Sequence, residues 1–170
     1  HYRYAAFTLG NTADQIELVD VLGTVVDTVS YTSSIVFNGA SSGLAPSAFN
    51  ASANDILANW CAAVSLMPGG DKGTPGAAND TCALAGASPT PTPPPTSTAA
   101  PTVMPSPTPT VSVVSLVAPG TVFVTEIMPN PAAVSDTAGE WFEVFNSRSD
   151  AAVDINGWTI RDQGSNLHLV

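Results

Sequence analysis

QIELVDVLGTVVDTVSY, residues 15–31, reads as two β-strands joined by a turn at Leu22 to Thr24. Ile16 and Leu18 alternate with Glu17, the period-two pattern of a half-buried strand. The second strand is rich in Val and Thr, whose branched side chains suit a pleated surface. It is less regular, because Asp27 shares parity with the apolar Val25, Val29 and Tyr31. Two structural readings account for it: a bulge re-aims the acid, or a partner satisfies it. A cation bound by Asp27 is the functional alternative.

Outward from this hairpin, NGASSGLAPSAFNASANDILANWC (38–61) has no sustained period, and at most a short helical turn fits NDILANW. MPGGDKGTPGAAND (67–80) packs glycine, proline and Asx residues into one long loop. Further on, TVFVTEIM (121–128) and WFEVFN (141–146) read as strands. AAVDINGWTI (151–160) is a third strand region with a tight turn or bulge at Asn156-Gly157, and LHLV (167–170) begins a fourth. Strands without a long amphipathic helix predict an all-β sandwich. Ile16, Leu18, Val29, Phe142, Val144 and Trp158 are its expected apolar packing.

Between the two sets of strands lies PTPTPPPTSTAAPTVMPSPTPT (89–110), which is free of charge. Proline removes backbone donors, and short polar residues offer little apolar surface to offset ordering entropy, so this segment is expected to be a solvated spacer. Its coil span on flexible-chain scaling is about 30 to 35 Å. The part beyond it is short enough to be marginal alone, since a domain of roughly 60 residues buries only about 60% of its unfolded surface.

The 170-residue chain carries 4 basic and 14 acidic residues, a formal net charge of −10. Repulsion from phosphates argues against a nucleic-acid-binding surface. Cys61 and Cys82 are the two cysteines, and in a loop-rich, acidic chain with a Thr/Pro tether they are expected to form a disulfide in an extracellular setting. The longest apolar run, VSVVSLVAPGTVFV, is broken by Ser115, Pro119 and Gly120, and falls short of the ~20 residues that span a bilayer. With no initiator Met and no signal-like start, the expectation is a fragment of a longer secreted chain.

VFVTEIMPNP followed by GEWFEVFNSRSDAAVDINGWTIRDQ resembles the opening strands of a lamin tail domain of the bacterial, secreted type. FTLGNTADQIELVDVLGTVVDTVSY resembles the closing hairpin of the same kind of domain, with NWC and GTPGAAND as its C-terminal loop region. The resemblance implies an immunoglobulin-like β-sandwich present as partial copies. Residues 1–83 would be the C-terminal part of one copy, 84–120 a Pro/Thr-rich linker and 121–170 the N-terminal part of the next, as cut from a tandem array. In a permuted arrangement the second part would pack on the first. The implied role is non-catalytic: a structural or adhesion module at the cell surface, with an unknown protein or envelope ligand. The alternative is an accessory substrate- or envelope-binding module of a secreted nuclease or other hydrolase.

Several constellations invite chemistry. GASSG (39–43) matches the nucleophile-elbow pattern with Ser41 at its centre, but Pro46 interrupts the helix this motif requires and His168 is the only downstream histidine, so a turn is the favoured reading. Glu140 and Glu143 lie close in sequence, yet their odd separation puts them on opposite faces of a strand, and Glu143 is expected to be a partly buried structural acid. Asp71, Asn79 and Asp80 are weak candidates for a calcium ion against an Asx-turn reading, because their spacing does not match a twelve-residue calcium loop. No zinc cluster or phosphate cradle is present, and His1 and His168 are terminal singletons. Asn50-Ala51-Ser52 and Asn79-Asp80-Thr81 fit the N-glycosylation pattern, and the spacer threonines offer O-glycosylation sites. Trp60, Trp141 and Trp158 are read as core rather than as an aromatic binding platform.

Overall fold

A computed structural model of the chain describes residues 7–82, 117–162 and 164–170. The spacer expected over 84–120 lies outside the described residues for 84–116, as do its threonines and His1. On either side of 83–116 the described residues belong to one compact unit. Its last four expected linker residues are described: Val117 packs against the core and the Gly120 N–H donates to Val26 O at 2.7 Å.

The fold is all-β, and the described residues form two four-stranded antiparallel sheets. In chain order the strands are β1 (Ala13–Val19), β2 (Val25–Thr32), β3 (Ser42–Leu44) and β4 (Trp60–Ala62), then β5 (Val122–Met128), β6 (Trp141–Asn146), β7 (Thr159–Arg161) and β8 (Leu167–Leu169). One sheet runs β2-β1-β7-β8 and the other β4-β3-β5-β6, so each sheet takes two strands from before residues 83–116 and two from after. A single four-residue helix, α1 (Asp136–Gly139), precedes β6 among the described residues.

The β1–β2 hairpin forms as its alternation requires, with Ile16 opposite Val29 and both fully buried. Its turn is closed by Asp20, whose Oδ1 accepts from the Leu22 and Thr24 N–H groups at 2.9 and 2.8 Å, with Gly23 at φ 83°. Asn and Asp side chains favour such turns because they replace a backbone acceptor two residues on. The irregularity at Asp27 is both a bulge and a partnered acid. Leu18 faces Asp27 and Val19 faces Val25, so Val26 is the extra residue, and it is buried while Val25 turns outward.

The two sheets share a core of Phe7, Leu9, Ile16, Val29, Leu44, Trp60, Phe123, Val124, Ile127 and Trp158, among others, with Phe142 and Val144 half-buried against it. Each fully buried side chain of this kind contributes about 1.5–3 kcal/mol relative to exposure. Strand β5 is buried along its whole length, so the outward-polar alternation of a sandwich strand is lost. One face of β5 packs toward β2. The loop 73–80 crosses the strands beside it, as Asn79 donates to Leu44 O and Thr125 O and the Gly76 N–H donates to Glu143.

Residues 151–160 supply less strand than their composition suggests: only Thr159–Arg161 is extended and paired. Asn156-Gly157 is the expected tight turn, closed by the Trp158 N–H on Ile155 O with Gly157 at φ 80°. GASSG differs from the expected turn: Gly39 sits at φ 71°, but Ser42 and Gly43 already belong to β3 and are buried. The pairing of β3 with both β4 and β5 fixes these small residues where three strands approach closely.

Candidate functional site

The Cys61–Cys82 disulfide is formed, with a sequence separation of 21. It ties the edge strand β4 to the end of the loop that supplies Asp71, Thr74, Asn79 and Asp80 to the fold. Closing a loop of this size restricts the unfolded chain by about 3 kcal/mol in the entropy model. The Cys61→Ser/Cys82→Ser variant is therefore expected to lose about that much in urea unfolding, and the parent protein should show no reactive thiols while folded.

The most concentrated polar chemistry lies along β5. Val124 faces Val144 and Glu126 faces Glu143, leaving Thr125 as the extra residue of a bulge. A bulge interrupts the ladder and frees backbone groups, which must find other partners once buried. Here side chains take over. The Val124 N–H donates to Asp27 Oδ2 at 2.8 Å, and Asn54 Nδ2 bridges Asp27 Oδ2 and Val124 O at 2.9 and 3.2 Å. Asn79 Nδ2 donates to Thr125 O at 2.7 Å. Asn54 and Asn79 each keep a buried Oδ1 with no hydrogen-bond partner.

One residue further, the fully buried Glu126 accepts from Ser41 Oγ at 2.5 Å, from the Thr74 N–H at 2.8 Å and from Thr74 Oγ1 at 2.9 Å. Burial pushes its carboxyl above the usual range despite these donors, and the Glu143 charge adds to the rise. Burial likewise raises Asp27 to about 6, against the lowering effect of the Val124 N–H and Asn54, with Asp55 adding repulsion. Asp27 and Asp55 line a groove of about 330 Å³ with Ala51, Ser52 and Gly120, and burial also raises the Asp55 carboxyl.

A raised folded-state carboxyl favours the protonated native form, so its stabilisation is complete below the unfolded pKa and is lost as pH climbs through the folded one. For Asp27 that window runs from 3.8 to about 6, and the shift corresponds to about 3 kcal/mol. Glu126 and Glu140 shift in the same direction, while hydrogen bonds from Ser65 and Val64 pull Asp80 the other way against its desolvation. At pH 5 about half of that stabilisation remains and at pH 7.5 almost none, so the melting temperature is expected to be higher at pH 5 by roughly 5 °C. Asp27→Asn should flatten most of that slope.

The three weak calcium candidates each have backbone partners of their own. Asp71 Oδ1 accepts from the Ala132 and Ala133 N–H groups at 3.0 Å, Asp80 Oδ2 from those of Val64 and Ser65 at 2.7 and 2.8 Å, and Asn79 spans β3 and β5. Among the described residues, no group of three or more His, Cys, Asp or Glu side chains is placed to hold a metal ion.

Ser41 is fully buried and leads into a strand rather than a helix, so the strand–serine–helix geometry of a nucleophile elbow is not built around it. Glu140 accepts from the Leu9 N–H at 3.0 Å and Glu143 from the Gly76 N–H at 2.5 Å, so the two acids serve different segments. Trp60 and Trp158 are core, with Trp60 Nε1 donating to Asn54 O at 2.8 Å, whereas Trp141 is half-buried beside Gly73. His168 lies on β8 opposite Ile160. Of the two glycosylation patterns, Asn50 is exposed at a turn and Asn79 is buried with its amide engaged.

Sequence reading missed Asn54, Thr74 and the role of Glu126. The available signal was a lone acid inside the apolar run TVFVTEIM: an acid buried there requires donors from elsewhere. No family model, curated protein or solved structure matches the chain. Among the described residues, no helix is long and apolar enough to cross a membrane.

Proposed function

We propose that this chain is an extracellular or cell-surface β-sandwich module of the immunoglobulin-like, bacterial lamin-tail type, non-catalytic, and used in a tandem array for structure or adhesion. One observation carries the reading. Of the acids whose carboxyls burial raises, Asp27, Glu126 and Glu140 are each engaged as acceptors of a backbone N–H from a distant segment, Val124, Thr74 and Leu9 respectively. A general acid or base must instead present its carboxyl to a substrate. The disulfide and the scarcity of basic residues fit an oxidising setting without nucleic-acid contact.

In such a role the module holds its neighbours apart and contributes weak contacts that add along a long protein. An exchange experiment tests this against the accessory-binding alternative. The module is replaced, in the secreted protein, by an unrelated disulfide-bonded sandwich of similar size. A spacing role predicts that surface presentation of the rest of the protein survives the exchange and is lost on simple deletion. If exchange and deletion impair activity on substrate or envelope equally, the accessory-binding reading replaces this one.

A further inference from the structure

We propose that two copies of this chain exchange their β5–β8 parts, each part completing the β1–β4 frame of the other copy. The topology supplies the reason. Neither part holds a complete sheet: β7 pairs with β1, and β5 pairs with β3, so both sheets close only across the 83–116 connection. Buried or half-buried acids on each part find their donors on the other. Asp27 takes the Val124 N–H, Asp71 those of Ala132 and Ala133, Glu126 that of Thr74 and Glu140 that of Leu9. Separated, each part would expose its share of one core and leave these groups without their partners.

The interface is therefore specific, extensive and already present in the single chain. The Cys61–Cys82 disulfide lies wholly within the first part, so among the described residues the backbone through 83–116 is the one covalent connection between the two. Exchange keeps every hydrogen bond and core contact between the described residues of the two parts and alters only which copy supplies each part. Loop closure weakens slowly with length, and long connections hold their ends at effective concentrations on the order of millimolar or below. A second copy at comparable local concentration, as on a crowded surface, competes for the same edges, which is the low-cost route to a domain-swapped dimer. This inference stands on the topology and does not require the adhesion reading.

The test uses full-length chains carrying Glu17→Cys or Arg161→Cys. These positions face each other across β1 and β7 and form an ion pair at 2.6 Å between partly exposed side chains. Cα atoms of facing antiparallel residues lie about 4.5–5.5 Å apart, within reach of a disulfide. The Glu17→Cys/Arg161→Cys double variant, refolded at about 1 μM, should cross-link within one chain and confirms that the pair can bond. An equimolar mixture of the two single variants is then unfolded, refolded at about 1 mM, oxidised and run under non-reducing denaturing conditions. Exchange predicts a covalent heterodimer at least tenfold more abundant than after refolding at about 1 μM, and absent from either variant refolded alone. No heterodimer at either concentration, with the double variant cross-linking, overturns the proposal. Equal dimer from single variants alone would mark surface collision and overturn it as well.

Discussion

Replacing Phe123 by alanine is expected to cost about 3–5 kcal/mol, among the largest effects a single truncation has in a sandwich of this size. Phe123 is buried on the central strand β5, and its ring meets Phe49 and Phe145 edge-on at centroid separations of 5.5 and 5.7 Å. Phe49 and Phe145 also meet each other at 4.9 Å, closing a three-ring cluster. Truncation removes the transfer free energy of one ring, two aromatic contacts and the packing around the cavity left behind. Strand β5 sits between β3 and β6, so collapse around that cavity is resisted from both sides. Urea unfolding should show a lower midpoint with an unchanged slope. Phe123→Leu, which keeps much of the volume, should lose less than half as much.

The Glu126→Ala variant is expected to lose about 3–5 kcal/mol for a different reason. The carboxylate is the shared acceptor of Ser41 Oγ, the Thr74 N–H and Thr74 Oγ1. Removing it relieves one desolvated charge but leaves buried donors unpaired, each at a cost of about 1–3 kcal/mol, besides a cavity. Glu126→Gln keeps the shape and one acceptor oxygen, so it should lose only about 1–2 kcal/mol. Combining Glu126→Leu with Ser41→Ala and Thr74→Val removes most of the orphaned donors and should recover much of the loss relative to alanine. Equal destabilisation by Gln and Ala would show that charge, not donor satisfaction, governs this site.

Legibility in the sequence followed the range of the interactions. The β1–β2 hairpin was readable because Ile16, Glu17 and Leu18 alternate locally and Asp20-to-Thr24 carries its own turn chemistry. Strands β5 and β6 were readable as apolar and aromatic runs. By contrast, β3 and β4 are three residues each, and SGL within GASSG carries turn residues, so its place between β4 and β5 comes from tertiary pairing alone. Asp27 betrayed itself by breaking parity, and its two suspected remedies, bulge and partner, both operate. Glu126 gave no comparable local sign of its partners, because its donors come from 52 and 85 residues away. The loop 67–80 was legible as a loop. That it crosses β3 and β5, with Asn79 taking Leu44 O and Thr125 O, and reaches the Glu143 carboxylate on β6 was not, because these partners are brought together by tertiary pairing alone.

Amide hydrogen exchange on the intact chain tests the central claim most directly: strands from both sides of 83–116 form one cooperative sandwich. The account predicts that the β1 amides near Leu18 and the β5 amides near Val124 exchange only through the same global opening, with a common free energy and a common denaturant dependence. Exchange of β5–β8 amides at the rate of an unfolded chain, while β1 and β2 stay protected, would contradict it.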